Sequence, residues 1–234
     1  MKRVIPTVLV RGATAFKGPG FGERCTRSVG SALSICRTHA MRGVDELMIL
    51  DIAATEEQRG PDLQMVQQLA EGCFIPITVG GGVRTVDDIN RLLRAGADTV
   101  AICTAARERP QFIEEAADRF GRQAIVVVVE HEQIASGDSA IYTFPMDAGE
   151  IVLQSRDREG TLAGYDLGPL CAMAGHLDMP VIMSGGCSGP GDMLRAFQSG
   201  ADACAAGALF QFTDCTPRDC SEFLQGAGYS VRVE

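Results

Sequence analysis

Apolar residues in this chain come in short, nearly continuous runs rather than in strict alternation. They fall at 4–10, 47–50, 76–79, 99–102, 124–129, 151–153, 180–183 and 203–206. Between the runs the pattern changes to helical spacing, as at Ile89, Leu92 and Leu93 and again at Met193, Ala196 and Phe197. Amphipathic segments at 62–71 and 166–175 follow Gly-containing polar loops. Continuous apolar strands that alternate with helices predict a parallel sheet covered by helices on its outer face. The strand starts lie near residues 4, 46, 76, 99, 124, 150, 180 and 203.

The same grammar occurs twice, at an offset of 104 residues. Pro76-Ile77-Thr78-Val79-Gly80-Gly81-Gly82 returns as Pro180-Val181-Ile182-Met183-Ser184-Gly185-Gly186, and Gly96-Ala97-Asp98 as Gly200-Ala201-Asp202. Glu46 pairs with Glu150, Gly60 with Gly164, Asp62 with Asp166, Asp88 with Asp192 and Arg91 with Arg195, with no gap from Glu46 to Cys103. Eight strands with intervening helices, repeated half to half, predict a closed (βα)8 TIM barrel of the α/β class, a single domain over residues 1–234 with half-barrels of about 1–122 and 123–234. One interval breaks the symmetry. After the fifth strand the chain has a hairpin-like stretch at 135–144 and little else before Glu150, so the fifth helix is expected to be missing or cut to a turn. Loss of that helix would bare apolar barrel wall for another subunit to cover.

Composition narrows the function. The net charge of −9 argues against broad nucleic-acid binding and gives no help toward an anionic membrane. No apolar run approaches 18 residues, and the one near the N-terminus is too short for a signal peptide. Nine cysteines without a small-domain framework read as reduced residues, which points to the cytoplasm. Cys215 and Cys220 have no histidine nearby, so no metal site is expected, and nothing calls for a cofactor.

In a barrel of this kind chemistry sits at the C-terminal ends of the strands. Glycines at Gly80-Gly81-Gly82 and at Gly185-Gly186 after Ser184 would let backbone N–H groups approach an anion; tight turns alone are the plainer reading of either one. Their duplication across the ring favours a substrate with phosphate at both ends. Asp51 ends the second strand and Glu130 the fifth, and both are candidates for acid, base or substrate ligand. Glu130 has an equal alternative as a solvated residue at the start of the charged run Glu130-His131-Glu132. Gly18-Pro19-Gly20-Phe21-Gly22 reads as a mobile lid. Arg3, Glu46 and Glu150 start strands at the opposite face, where a ring of charges would guard a passage along the barrel axis.

Residues 43–52, Thr78-Val79-Gly80-Gly81-Gly82, Thr104-Ala105-Ala106, Asp157-Arg158-Glu159-Gly160-Thr161, Gly164-Tyr165-Asp166 and Ser184-Gly185-Gly186 together resemble the cyclase subunit of imidazole glycerol phosphate synthase, over nearly the whole chain. The resemblance implies a half-barrel repeat with two phosphate sites. It also implies a glutaminase subunit docked at the barrel bottom, with ammonia conducted through the barrel to a phosphorylated small molecule. Gly82 and Thr104 would line one phosphate site. Gly160 and Gly186 would line the other, with Gly207 at the matching position after strand eight. Lys17 matches the lid lysine, Arg3, Glu46 and Glu150 the ammonia gate, and Asp98 a partner-facing carboxylate.

Departures from the family pattern are concentrated in the chemistry. The resemblance implies an acid–base pair of aspartates at the ends of strands one and five, where this chain has Leu9 and Glu130. Cys103 stands for a phosphate-binding asparagine, Glu159 for an aspartate, Ala208 for a serine and Thr99 for the gate lysine. The opening Arg3-Val4-Ile5-Pro6 and Leu9 are similar to a branch of the family that aminates sugars alongside glutaminase-like partners. The expected function is therefore a glutamine amidotransferase-associated synthase or lyase-like subunit that aminates a phosphorylated or nucleotide-sugar substrate. A genuine histidine-pathway cyclase and a non-catalytic scaffold or regulator are the alternatives.

Overall fold

The computed structural model describes residues 1–20, 25–130, 147–173 and 177–233. Eight parallel strands close on themselves: β1 (Arg3–Arg11), β4 (Leu47–Asp51), β5 (Ile77–Gly80), β6 (Thr99–Ile102), β7 (Ile125–Glu130), β8 (Glu150–Gln154), β9 (Val181–Ser184) and β10 (Ala203–Ala206). Closure is made by β1 against β10, with Arg3 opposite Ala203 and Pro6 opposite Ala206. Each strand begins within a residue or two of its predicted start. The packed helices include α1 (Ala32–Met41), α2 (Leu63–Gly72), α3 (Val86–Ala95), α4 (Thr104–Glu108), α5 (Gln111–Phe120), α6 (Gly168–Met173), α7 (Pro190–Gln198), α8 (Ala208–Phe212) and α9 (Pro217–Gly226).

Side chains alternate across each strand, so a continuous apolar run is buried on both faces. In β1 the even-numbered Val4, Val8 and Val10 join the layer under the helices, while Ile5 and Leu9 point into the barrel. Leu47 and Ile49 likewise face the helices and Met48 and Leu50 the interior. The interior cluster is completed by small and branched residues such as Ala101, Val126, Val128, Val152, Ala203 and Ala205.

The repeat is visible in individual hydrogen bonds. The Asp98 carboxylate accepts from Ile77 N–H at 2.8 Å, and Asp202 accepts from Val181 N–H at 3.1 Å. Asp88 accepts from Arg84 N–H at 3.1 Å, and Asp192 from Ser188 N–H at 2.7 Å. Each pair of bonds is related by the same 104-residue offset. The repeated aspartates therefore tie each strand start and each helix start in place.

Two strands were not foreseen. β2 (Thr14–Lys17) folds back antiparallel on β1, with Phe16 opposite Leu9, and β3 (Arg27–Ser31) pairs antiparallel with β2. β3 is Arg-Ser-Val-Gly-Ser, mostly exposed and with one apolar residue, so it lacks the strand signature. The expectation of a missing fifth helix and of a hairpin at 135–144 falls on 131–146, outside the described residues.

In the last turn of α1, His39 is 3% exposed, sits edge-on to Phe210 and leaves Nδ1 without a hydrogen-bond partner. Burial first, then Arg42 and Lys17, push its pKa down to about 4. The unfolded chain then binds more protons than the folded one between about pH 6.5 and pH 4, so stability falls as pH falls through that window. At 1.36 kcal/mol per pKa unit the loss is about 3 kcal/mol. His39→Gln is expected to remove this pH dependence, closing about 3 kcal/mol of its stability gap to the wild type between pH 7 and pH 4. Urea unfolding at both pH values checks it; parallel losses in the two proteins would contradict it.

Candidate active site

The predicted site residues gather at three places. At the N-terminal face, Arg3 spans the floor of the barrel. Its Nη1 donates to Glu46 Oε2 and its Nη2 to Glu150 Oε1, each at 2.5 Å. The remaining Glu46 oxygen accepts from the Thr78 hydroxyl at 3.2 Å, and Thr78 is in turn 2.5 Å from the Thr99 hydroxyl. Burial pushes the Glu46 carboxyl above its ordinary range, Arg3 opposes that, and Glu150 adds to it. One arginine thus balances two carboxylates at the base of an apolar interior. These residues border a cavity of about 570 Å³ that Asp98 and Arg122 also line. Asp98 keeps its bond to Ile77 N–H but, among the described residues, no cation pairs with it; its repeat mate Asp202 pairs with Lys2 at 3.1 Å.

At the C-terminal face, Asp51, Gly81, Gly82, Thr104 and Glu130 share one pocket of about 190 Å³ with Cys103, Gln154 and Arg156. Asp51 is heavily engaged: Oδ1 accepts from the backbone N–H of Ala53 and Ala54 and from Arg59 Nη2, and Oδ2 from Arg59 Nη1 at 2.7 Å. The carboxylate fastens its own loop. Glu130 lies 3.5 Å from the Arg156 guanidinium. Burial, and then the charge of Glu130, push the Cys103 thiol up to about 12, so it stays protonated at neutral pH. Past Gly82 and Thr104 the pocket meets a second cavity of about 460 Å³ that Arg84 and Arg109 border.

The third group lies across the rim. Glu159, Gly160, Gly185, Gly186 and Gly207 come together after β8, β9 and β10, with Ser184 buried at the end of β9. Lys17, at the end of β2, is buried beside them. Of the expected lid, residues 18–20 pack here, through Gly20 N–H donating to the Glu159 carbonyl at 2.8 Å; residues 21–24 are outside the described set.

Leu9 is fully buried inside the barrel. The sequence pattern of the family described as histidine biosynthesis protein matches residues 3–216. Chains named imidazole glycerol phosphate synthase subunit HisF are 39% identical in Streptomyces avermitilis, 39% in Frankia casuarinae and 38% in Streptomyces coelicolor. Each match covers 98% of both chains. This chain belongs to the histidine biosynthesis protein family. Its cyclase-subunit resemblance, read first from motifs, holds over the whole length.

Within that family setting, several neighbours of the candidate residues escaped the sequence reading: Arg59, Thr78, Gln154 and Arg156. Three of them occupy positions where the other half-barrel is apolar, Thr78 against Ile182, Gln154 against Leu50 and Arg156 against Ile52. A search for matching halves passes over residues that differ between them. The mismatch itself was the available signal. Among the described residues no group of three His, Cys, Asp or Glu side chains could hold a metal ion, and no helix is long and apolar enough to cross a membrane.

Proposed function

We propose that this family member is the ammonia-accepting barrel of a two-component amidotransferase. A glutaminase partner seats on the N-terminal face around Arg3, Glu46, Asp98 and Glu150. Ammonia released there rises through the apolar interior and aminates a phosphorylated or nucleotide-sugar substrate at the C-terminal rim. Its nitrogen attacks an activated amide or carbonyl carbon; the C–N bond forms, the bond from that carbon to its activated oxygen breaks, the oxygen leaves as an anion with its activating group, and Glu130 takes the proton that nitrogen sheds. Gly81, Gly82 and Thr104 hold the phosphate, and Asp51 positions the loop that follows it.

The observation that carries this reading is Leu9. The resemblance implies an acid–base aspartate there, and a buried leucine transfers no proton, while the Arg3 bridge at the floor is kept. The second reading, a histidine-pathway cyclase, draws on the 39% identity to chains named as synthase subunits.

The test is reconstitution with a glutaminase-like partner. The reading expects a stable complex in which glutamine is hydrolysed and the free glutaminase is inactive. A complex without hydrolysis would favour a scaffold, and no complex with any glutaminase would overturn the proposal.

A further inference from the structure

The backbone of the rim repeats between the halves, but the space above it does not. On the Gly82 side, cavities of about 190 and 460 Å³ meet at Gly82 and Thr104. On the Gly186 side, the space enclosed by Glu159, Gly160, Gly185, Gly186 and Gly207 amounts to about 10 Å³. That holds one water at most and no phosphate.

Protein atoms fill the difference. The Lys17 ammonium is fully buried, donates to the Thr7 carbonyl at 3.1 Å and lies 3.7 Å from Glu159 Oε1. It reaches so far into the corner that a Cβ on Gly207 would overlap Nζ. Gly18 closes from above, since a Cβ on Gly160 would strike its carbonyl oxygen. From the barrel side Gln154 Nε2 comes within 3.5 Å of Glu159 Oε2. An anion entering here would meet the Glu159 carboxylate or have to separate a buried ion pair, and stripping one partner from such a pair leaves an uncompensated buried charge. Burial pulls the Lys17 amine below its ordinary pKa, and Glu159 opposes that pull.

We propose that Lys17 and Glu159 form a built-in plug of the second anion corner, so that the barrel grips an anionic ligand on one side of its rim only, over Gly81, Gly82 and Thr104. This deepens the functional reading above and rests on it. The substrate class becomes one with phosphate at a single end, the end near Glu130 and Gln154 being uncharged.

Equilibrium dialysis of the full chain against inorganic phosphate tests the plug. The wild type is expected to bind one phosphate per chain, and the charge-neutral, volume-removing double variant Lys17→Ala/Glu159→Ala two, with circular dichroism confirming its fold. A wild type that binds two, or a folded double variant that stays at one, contradicts the plug while leaving the rim as a phosphate grip. A wild type that binds none contradicts both. Where the double variant fails to fold, the wild type alone decides. Glucose 1-phosphate and glucose 1,6-bisphosphate should then bind within about threefold of each other, and any larger gain for the bisphosphate overturns the proposal.

Discussion

Leu9→Asp will lower the unfolding free energy at pH 8 by on the order of 3 kcal/mol or more, where Leu9→Met will change it by less than about 1.5 kcal/mol. Leu9 is 0% exposed and belongs to the interior cluster with Leu50 and Cys25, against which Phe16 packs from β2. The cluster around it is apolar, and the buried Lys17 ammonium is already held by Glu159 and the Thr7 carbonyl, so desolvation raises the pKa of a carboxylate there and the folded state holds the proton more tightly than the unfolded one. The sign follows: the penalty is greatest at alkaline pH and shrinks as the pH falls toward the unfolded carboxyl value of about 4. Urea denaturation of the three proteins at pH 8 and pH 5 checks both size and slope. A neutral Leu9→Asp at pH 8 would mean that the position is open to water, and the loss of the acid–base partner would then be a local exchange rather than a repacked core.

Gly81→Ala and Gly185→Ala will each destabilise the barrel by about 2–4 kcal/mol, and by amounts within about 1 kcal/mol of each other. Both glycines have positive φ, 114° and 94°, which strains any side chain. At both, a Cβ would be driven onto a backbone carbonyl oxygen of the preceding strand's end, Asp51 in one half and Ser155 in the other. A backbone carbonyl cannot swing aside as a side chain does. Asp51 and Ser155 are themselves repeat mates, so the two substitutions meet the same obstacle. Thermal and chemical unfolding of the pair measures the symmetry directly; a cheap substitution in one half and a severe one in the other would show that the halves have parted in backbone as well as in side chains.

The barrel was legible because its signals are local and duplicated. Eight apolar runs, glycine-ended strands and capping aspartates recur at one offset, and each has a physical reason to do so. The floor was legible for the same reason in Glu46 and Glu150, with Arg3 joining them from the first strand. The hairpin of β2 and β3 was not, since it is held by pairing to β1 rather than by its own apolar pattern. The chemistry of the rim was legible only as positions. Sequence placed Asp51 at a strand end but could not show Arg59 and two backbone N–H groups on its oxygens. It placed Lys17 on a lid, whereas the chain buries that ammonium beside Glu159, a pairing across more than half the chain that no spacing announces.

The central claim is that this family member keeps the floor of the barrel and has changed the acid–base chemistry above it. The most direct measurement supplies the chain with the ribonucleotide substrate of the imidazole glycerol phosphate synthase cyclase and saturating ammonium salt, so that no partner is needed, and follows imidazole product. The account predicts none above the uncatalysed background. Sustained, enzyme-dependent formation of imidazole glycerol phosphate would contradict it.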